Sequence, residues 1–130
     1  MTKTTTILKF PVAISVKSKF ISERSYVETN KYFFSYTVTI KNQGLQSIQL
    51  ISRHWIINNA HNEKFEVKGE GVVGEQPIIQ PGAEFTYTSG TEINTPIGNM
   101  RGAYHMVTKE GLEFDTKISK FELNMPRTLH

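Results

Sequence analysis

An antiparallel all-β sandwich of about seven strands is what this sequence predicts, and three observations predict it. Apolar and polar residues alternate along several runs, the period of a strand that buries one face. Turn-forming clusters separate those runs. No segment sustains the 3.6-residue period of an amphipathic helix.

The first run is PVAISVKSKF, in which Val12, Ile14 and Val16 share one face and Ser15, Lys17 and Lys19 the other. In YFFSYTVTIKN, Phe34, Tyr36, Val38 and Ile40 point one way while Ser35, Thr37, Thr39 and Lys41 point the other. A third strand runs about Ser47 to Ile57 and is apolar on both faces, which suits a central or covered strand. Phe65 and Val67 mark a short fourth strand, and AEFTYTSG offers Phe85 and Tyr87 on one face. Met100, Gly102, Tyr104 and Met106 alternate with Arg101, Ala103 and His105. Leu112, Phe114, Thr116 and Ile118 form another run, and Phe121 and Leu123 a last one.

The turn signals are KNQG, NNAHNE, QPG, NTPIGN and KEG. Strands of this length and spacing read as a sandwich of immunoglobulin or fibronectin type III character; a small closed barrel is the alternative. Ile14, Val16, Phe34, Tyr36, Val38, Ile40, Phe85, Tyr104 and Phe114 are expected in the core.

The 130 residues match the size of one domain, 1–130, with ends at 1–6 and 126–130 expected to fray. Cysteine is absent, which excludes a disulfide scaffold, a thiolate metal site and a cysteine nucleophile. It fits a reducing compartment, and the start MTKTTTILKFPV lacks the long apolar core of a signal peptide. A cytoplasmic protein without membrane insertion is expected. Met1 to Lys41 carries seven basic residues against Glu23 and Glu28, so +5 of the net +3, leaving −2 for the remainder. The lysines are scattered along strand faces rather than clustered, and no aromatics interleave with arginines, so no nucleic-acid surface is expected.

The stretch GEGVVGEQPIIQPG, Gly69 to Gly82, carries GxGxxG spacing at Gly69, Gly71 and Gly74. In a dinucleotide site a helix follows that loop. Here Pro77, Pro81 and the β-branched pair Ile78 and Ile79 forbid one. Backbone N–H groups of Gly69–Gly74 could instead form a nest for phosphate, although Glu70 and Glu75 would repel it. Otherwise the stretch is a loop between strands whose glycines permit positive φ and close packing.

His54, His61 and His105 show no HxH or HxxxH pair, so no metal ligands are assigned. Alternation puts Arg53 and Trp55 on one face and His54 on the other. Trp55 reads as a core tryptophan with Arg53 stacked or ion-paired along its edge, facing a carboxylate such as Glu75; the alternative is a surface recognition patch. Ser52 lacks the sharp turn of a nucleophile elbow. Asp115 has no histidine in its motif, and nothing marks a cleft around Glu66, Glu70 and Glu75. No catalytic residue and no cofactor are assigned.

Four motifs in order, LISRHWIINNA, GEGVVGEQPIIQPG, FTYTSG and GNMRGAYHM, together resemble the ApaG family, from about Val12 onward. The resemblance implies a fibronectin-type-III-like sandwich of about this length. Its members are stand-alone bacterial proteins, with related domains in eukaryotic F-box proteins and in a polymerase-delta-interacting protein. The family is linked by name to cobalt and magnesium efflux, and by gene neighbourhood to dinucleotide polyphosphate metabolism. The resulting expectation is a non-catalytic interaction module that binds a protein partner. Its expected contact surface holds Gly69, Glu70, Gly71, Gly74, Glu75 and Gln76, with Arg53 beside it. A sheet edge is the second candidate surface, for strand addition or a homodimer. The alternatives are a phosphate or nucleotide binder through Gly69–Gly74, and a divalent-metal-binding protein.

Overall fold

The computed structural model describes residues 10–127. The expected fraying at 1–6 and at 128–130 lies outside the described residues; Pro126 and Arg127 follow the last strand as exposed, irregular chain. The strands are β1 (Val12–Phe20), β2 (Tyr32–Asn42), β3 (Ile48–Asn59), β4 (Lys64–Glu70), β5 (Ile78–Ile79), β6 (Glu84–Ile93), β7 (Ile97–Thr108) and β8 (Glu113–Asn124). Two single-turn 3-10 segments, Ser22–Arg24 and Val27–Thr29, join β1 to β2.

The fold is the antiparallel β-sandwich that alternation predicts. One sheet has the order β1-β2-β6, and the other has the order β4-β3-β7-β8, with β5 also pairing on β3. Every pairing is antiparallel. On β2 the alternation is unbroken: every second residue from Tyr32 to Asn42 is buried. The outward threonines pair across strands, Thr37 with Thr88 at 2.8 Å and Thr39 with Thr86 at 3.1 Å.

Three departures from the sequence reading have physical causes. The eighth strand is β5, two residues between the prolines, which extends the edge pairing of β3 beyond β4. The two last runs, Leu112–Ile118 and Phe121–Leu123, are one strand, β8. Its register slips between Gly102↔Ile118 and Met100↔Phe121, so Ser119 and Lys120 face Arg101 alone and form a bulge. β3 has a second bulge. Leu50 pairs with Met106 but Ser52 pairs with His105, which leaves Ile51 as the extra residue. The apparent two-sided apolarity of β3 comes from that slip. Ile48 and Leu50 face inward before it, and Trp55 and Ile57 after it.

Phe34, Tyr36, Val38, Ile40 and Tyr104 are buried as expected. Ile14, Val16, Phe85 and Phe114 are only partly buried and pack against the core margin. The correction follows from position: β1, β6 and β8 are edge strands, so their inward side chains have a neighbour on one side only.

The two sheets differ in width, and this positions the site. β1 packs over β8, where Ser18 Oγ donates to the Glu122 carbonyl at 2.7 Å and Phe10 stacks on Phe114. With that side closed, β6 lies over β3 and β4 extends past the smaller sheet. Phe65 and Val67 pair with Ile57 and Trp55, so they share the inward face, yet they remain 47% and 41% exposed.

Candidate functional site

The bulge at Ile51 turns Arg53 and Trp55 into the sandwich. Without it, the alternation from Ile48 and Leu50 would bring Ser52 and His54 inward. The glycine-rich stretch fastens to the same bulge. The Ile51 carbonyl accepts from Gly71 N at 2.8 Å and from Gln76 Nε2 at 2.9 Å. Gln49 Nε2 donates to the Gln76 carbonyl, which ties down the far end of the loop.

Between these anchors the chain makes a two-residue turn. Val72 N and Glu75 N each donate to the other's carbonyl, at 2.8 and 2.9 Å. Val73 and Gly74 both have positive φ, 43° and 80°, as a type I′ turn requires. Gly71 also sits at positive φ, and a Cβ on it would collide with the Glu75 carbonyl. Gly69 lies under the guanidinium, and a Cβ there would stand 2.9 Å from both Arg53 Nη atoms, so Arg53 would have to shift. The GxGxxG spacing is thus written by a hairpin turn and by a guanidinium packed on the strand. The amides of Gly71, Val72 and Glu75 are engaged with protein carbonyls, so they do not point together into a phosphate nest.

Arg53 Nη1 donates to the carbonyls of Glu70 and Gly71 at 3.1 and 2.8 Å. The expected Arg53–Glu75 ion pair is not formed: Glu75 lies beyond the turn, and among the described residues Arg53 has no carboxylate partner. The guanidinium fronts a cleft of about 300 Å³ at the open side of the sandwich. Its other walls are Trp55, Tyr36, Tyr87, Ser89 and Glu70, and the Val72–Gly74 turn forms a lip. Gly71, Glu75 and Gln76 border a second groove of about 240 Å³ on the outer side of the turn, with Glu70 and Gly74 shared between the two.

The cleft is rich in hydrogen-bond donors. Trp55 is buried and its Nε1–H has no partner among the described residues. Tyr87 and Tyr104 share a hydroxyl–hydroxyl hydrogen bond. Burial pushes both phenols well above the ordinary tyrosine range. Burial also raises Tyr36, opposed by a hydrogen bond with Ser89 and by the positive charge of Arg53. At neutral pH all three stay protonated and can donate. Sequence reasoning read Tyr36 and Tyr104 as core and missed the cleft. The available signal was tyrosine where phenylalanine would fill the same inward position: Tyr36 pairs with Ser89 across β2 and β6, and Tyr87 with Val38.

The histidines are kept apart. His54 contacts Glu66 at 3.3 Å on the outer face, and His61 sits in the exposed turn after β3. His105 places Nδ1 2.7 Å from Asp115 and Nε2 2.7 Å from Glu113. The hydrogen bonds with Asp115 and then Glu113 raise its pKa above the ordinary histidine value. Among the described residues no three His, Cys, Asp or Glu side chains are grouped to hold a metal. No helix among the described residues is long and apolar enough to cross a membrane.

Comparison with known proteins places this geometry in a lineage. A family model described as the ApaG domain matches residues 22–108. Protein ApaG of Methylobacillus flagellatus is 51% identical over 122 residues, 94% of this chain and 96% of that one. Protein ApaG of Pseudomonas aeruginosa is 50% identical over 119 residues, 92% of this chain and 94% of that one. A Bordetella pertussis crystal structure bearing the name ApaA protein superposes with a TM-score of 0.87 at 47% identity, over 91% of this chain and 96% of that one.

Proposed function

The chain belongs to the ApaG domain family, and from that membership we propose that it acts as a non-catalytic interaction module whose partner is another protein. The observation that carries this reading is the overhanging strand β4. Among the described residues its outer edge is unpaired in the sheet order, and its inward residues Phe65 and Val67 are left 47% and 41% exposed. An extended segment of a partner would add as a further strand, gaining backbone hydrogen bonds and covering those two side chains. Lys64, Glu66 and Lys68 on the opposite face keep the edge soluble while it is free. The groove beside Gly71, Glu75 and Gln76 continues that edge and would set the register of the bound strand. We place the module in the cytoplasm, in keeping with a chain without cysteine. We assign any link to cobalt and magnesium efflux to the partner rather than to metal held by this chain.

Backbone direction supplies the test. Gly71 N and the Glu63 carbonyl both point at β3, so by alternation the N–H of Lys68 points away from it. Lys68→Pro therefore removes an outward donor at a place where an edge strand tolerates proline. Wild-type protein should retain a partner from a lysate of its own cell and show slowed amide exchange along β4 in the complex. Lys68→Pro should melt as wild type does and lose that partner. A partner held equally by both proteins would refute strand addition. Turnover of a polyphosphate substrate by the purified chain would replace this reading with an enzyme.

A further inference from the structure

We propose that the cleft around Arg53 is a binding site for a carboxylate. Arg53 is half-buried, forms no ion pair among the described residues, and uses only Nη1 in hydrogen bonds. Its Nε and Nη2 hydrogens form the planar fork that grips a carboxylate through two parallel bonds. Around that fork the cleft is lined by the hydroxyls of Tyr36, Tyr87 and Ser89, each able to donate.

The part of the guanidinium left free decides the ligand geometry. The Glu70 and Gly71 carbonyls lean on Arg53 Nη1 and leave the Nε and Nη2 hydrogens to a ligand. Two coplanar donors match the two oxygens of a carboxylate. A cleft of about 300 Å³ admits one carboxylate with a short stem. That carboxylate belongs either to a small free acid or to the end of a polypeptide. The site is independent of strand addition on β4, since its donors lie on β2, β3 and β6.

The only tryptophan of the chain is the reporter. The indole N–H resonance of Trp55 is followed in ¹⁵N-labelled protein during titration with glutarate, glutaramide, inorganic phosphate, and a tetrapeptide carrying either a free or an amidated C-terminus. The expected result is a saturable shift with a carboxylate probe and none with its amide. Arg53→Lys should weaken binding on the order of tenfold by replacing the fork with a point charge. Because Arg53 also holds the glycine loop, a second variant guards against misfolding. Ser89→Ala removes a hydroxyl that lines the cleft and leaves Arg53 and the loop in place, so it should weaken carboxylate binding while melting as wild type does. A response to glutarate alone assigns the source to a small acid, and a response to the free peptide alone assigns it to a chain terminus; either upholds the proposal. Equal shifts with the amides, a response to phosphate alone, no response to any probe, or unchanged affinity in Ser89→Ala would overturn it.

Discussion

Substituting Gly71 and Gly74 one at a time separates a built turn from a loop whose glycines merely lend flexibility. Both residues have positive φ, 65° and 80°. Placing an L side chain in that region costs about 1–2 kcal/mol, and the stiffer unfolded chain of alanine returns about 0.4–1 kcal/mol. At Gly74 nothing lies within 4 Å of the added Cβ, so Gly74→Ala should lose roughly 0.5–1 kcal/mol net. At Gly71 the added Cβ collides with the Glu75 carbonyl. That carbonyl cannot withdraw freely, because it accepts from Val72 N at 2.8 Å. Losing or straining that bond adds about 1–3 kcal/mol, for a total of about 1.5–4 kcal/mol. Urea denaturation with an unchanged m-value measures both. Losses that agree within error, or a larger loss at Gly74, would show that the turn is not held as described.

Other expectations concern the core and the outer face. Phe34 is fully buried, so Phe34→Ala should cost about 3–5 kcal/mol by denaturant melting; a loss near zero would mean that the face of β2 is assigned backwards. The pKa of His105 is raised by Asp115 and Glu113 above its ordinary 6.5. The stability this adds is fully present below that value and fades as pH rises through the folded pKa. Melting temperatures of wild type and His105→Gln should therefore converge with rising pH, and a constant gap across that range would remove the ion pairs from the account.

Alternation made most strands legible, because each half-buried strand writes its two faces directly into the order of residues. Bulges were illegible for the same reason. Ile51 and the pair Ser119–Lys120 shift the phase by one residue without changing composition, so β3 read as apolar on both faces and β8 as two runs. Trp55 and Arg53 were placed correctly on a shared face. The partner expected for Arg53 was wrong, because a carboxylate four residues past Gly71 in sequence is carried away by the type I′ turn. The glycines announced a tight loop; that their amides would be spent on Ile51 and on one another depends on pairings the sequence does not display. Tyr36 and Tyr87 were hidden by their own chemistry, since a tyrosine ring satisfies the hydrophobic pattern whether its hydroxyl ends in a core or in a cleft.

The unequal width of the two sheets also fixes which strands can carry a label without disturbing the front. β1 and β8 hold the first and last strand positions, and both lie on the shut side, pinned by Ser18 to Glu122 and by Phe10 on Phe114. A fluorophore carried on the outer face of β1 or β8 therefore sits at the back. The front, where β4 projects past β6, stays clear of it. Labels on those two strands should consequently be interchangeable, whereas a label on β4 or on the Val72–Glu75 turn would obstruct the face it was meant to observe.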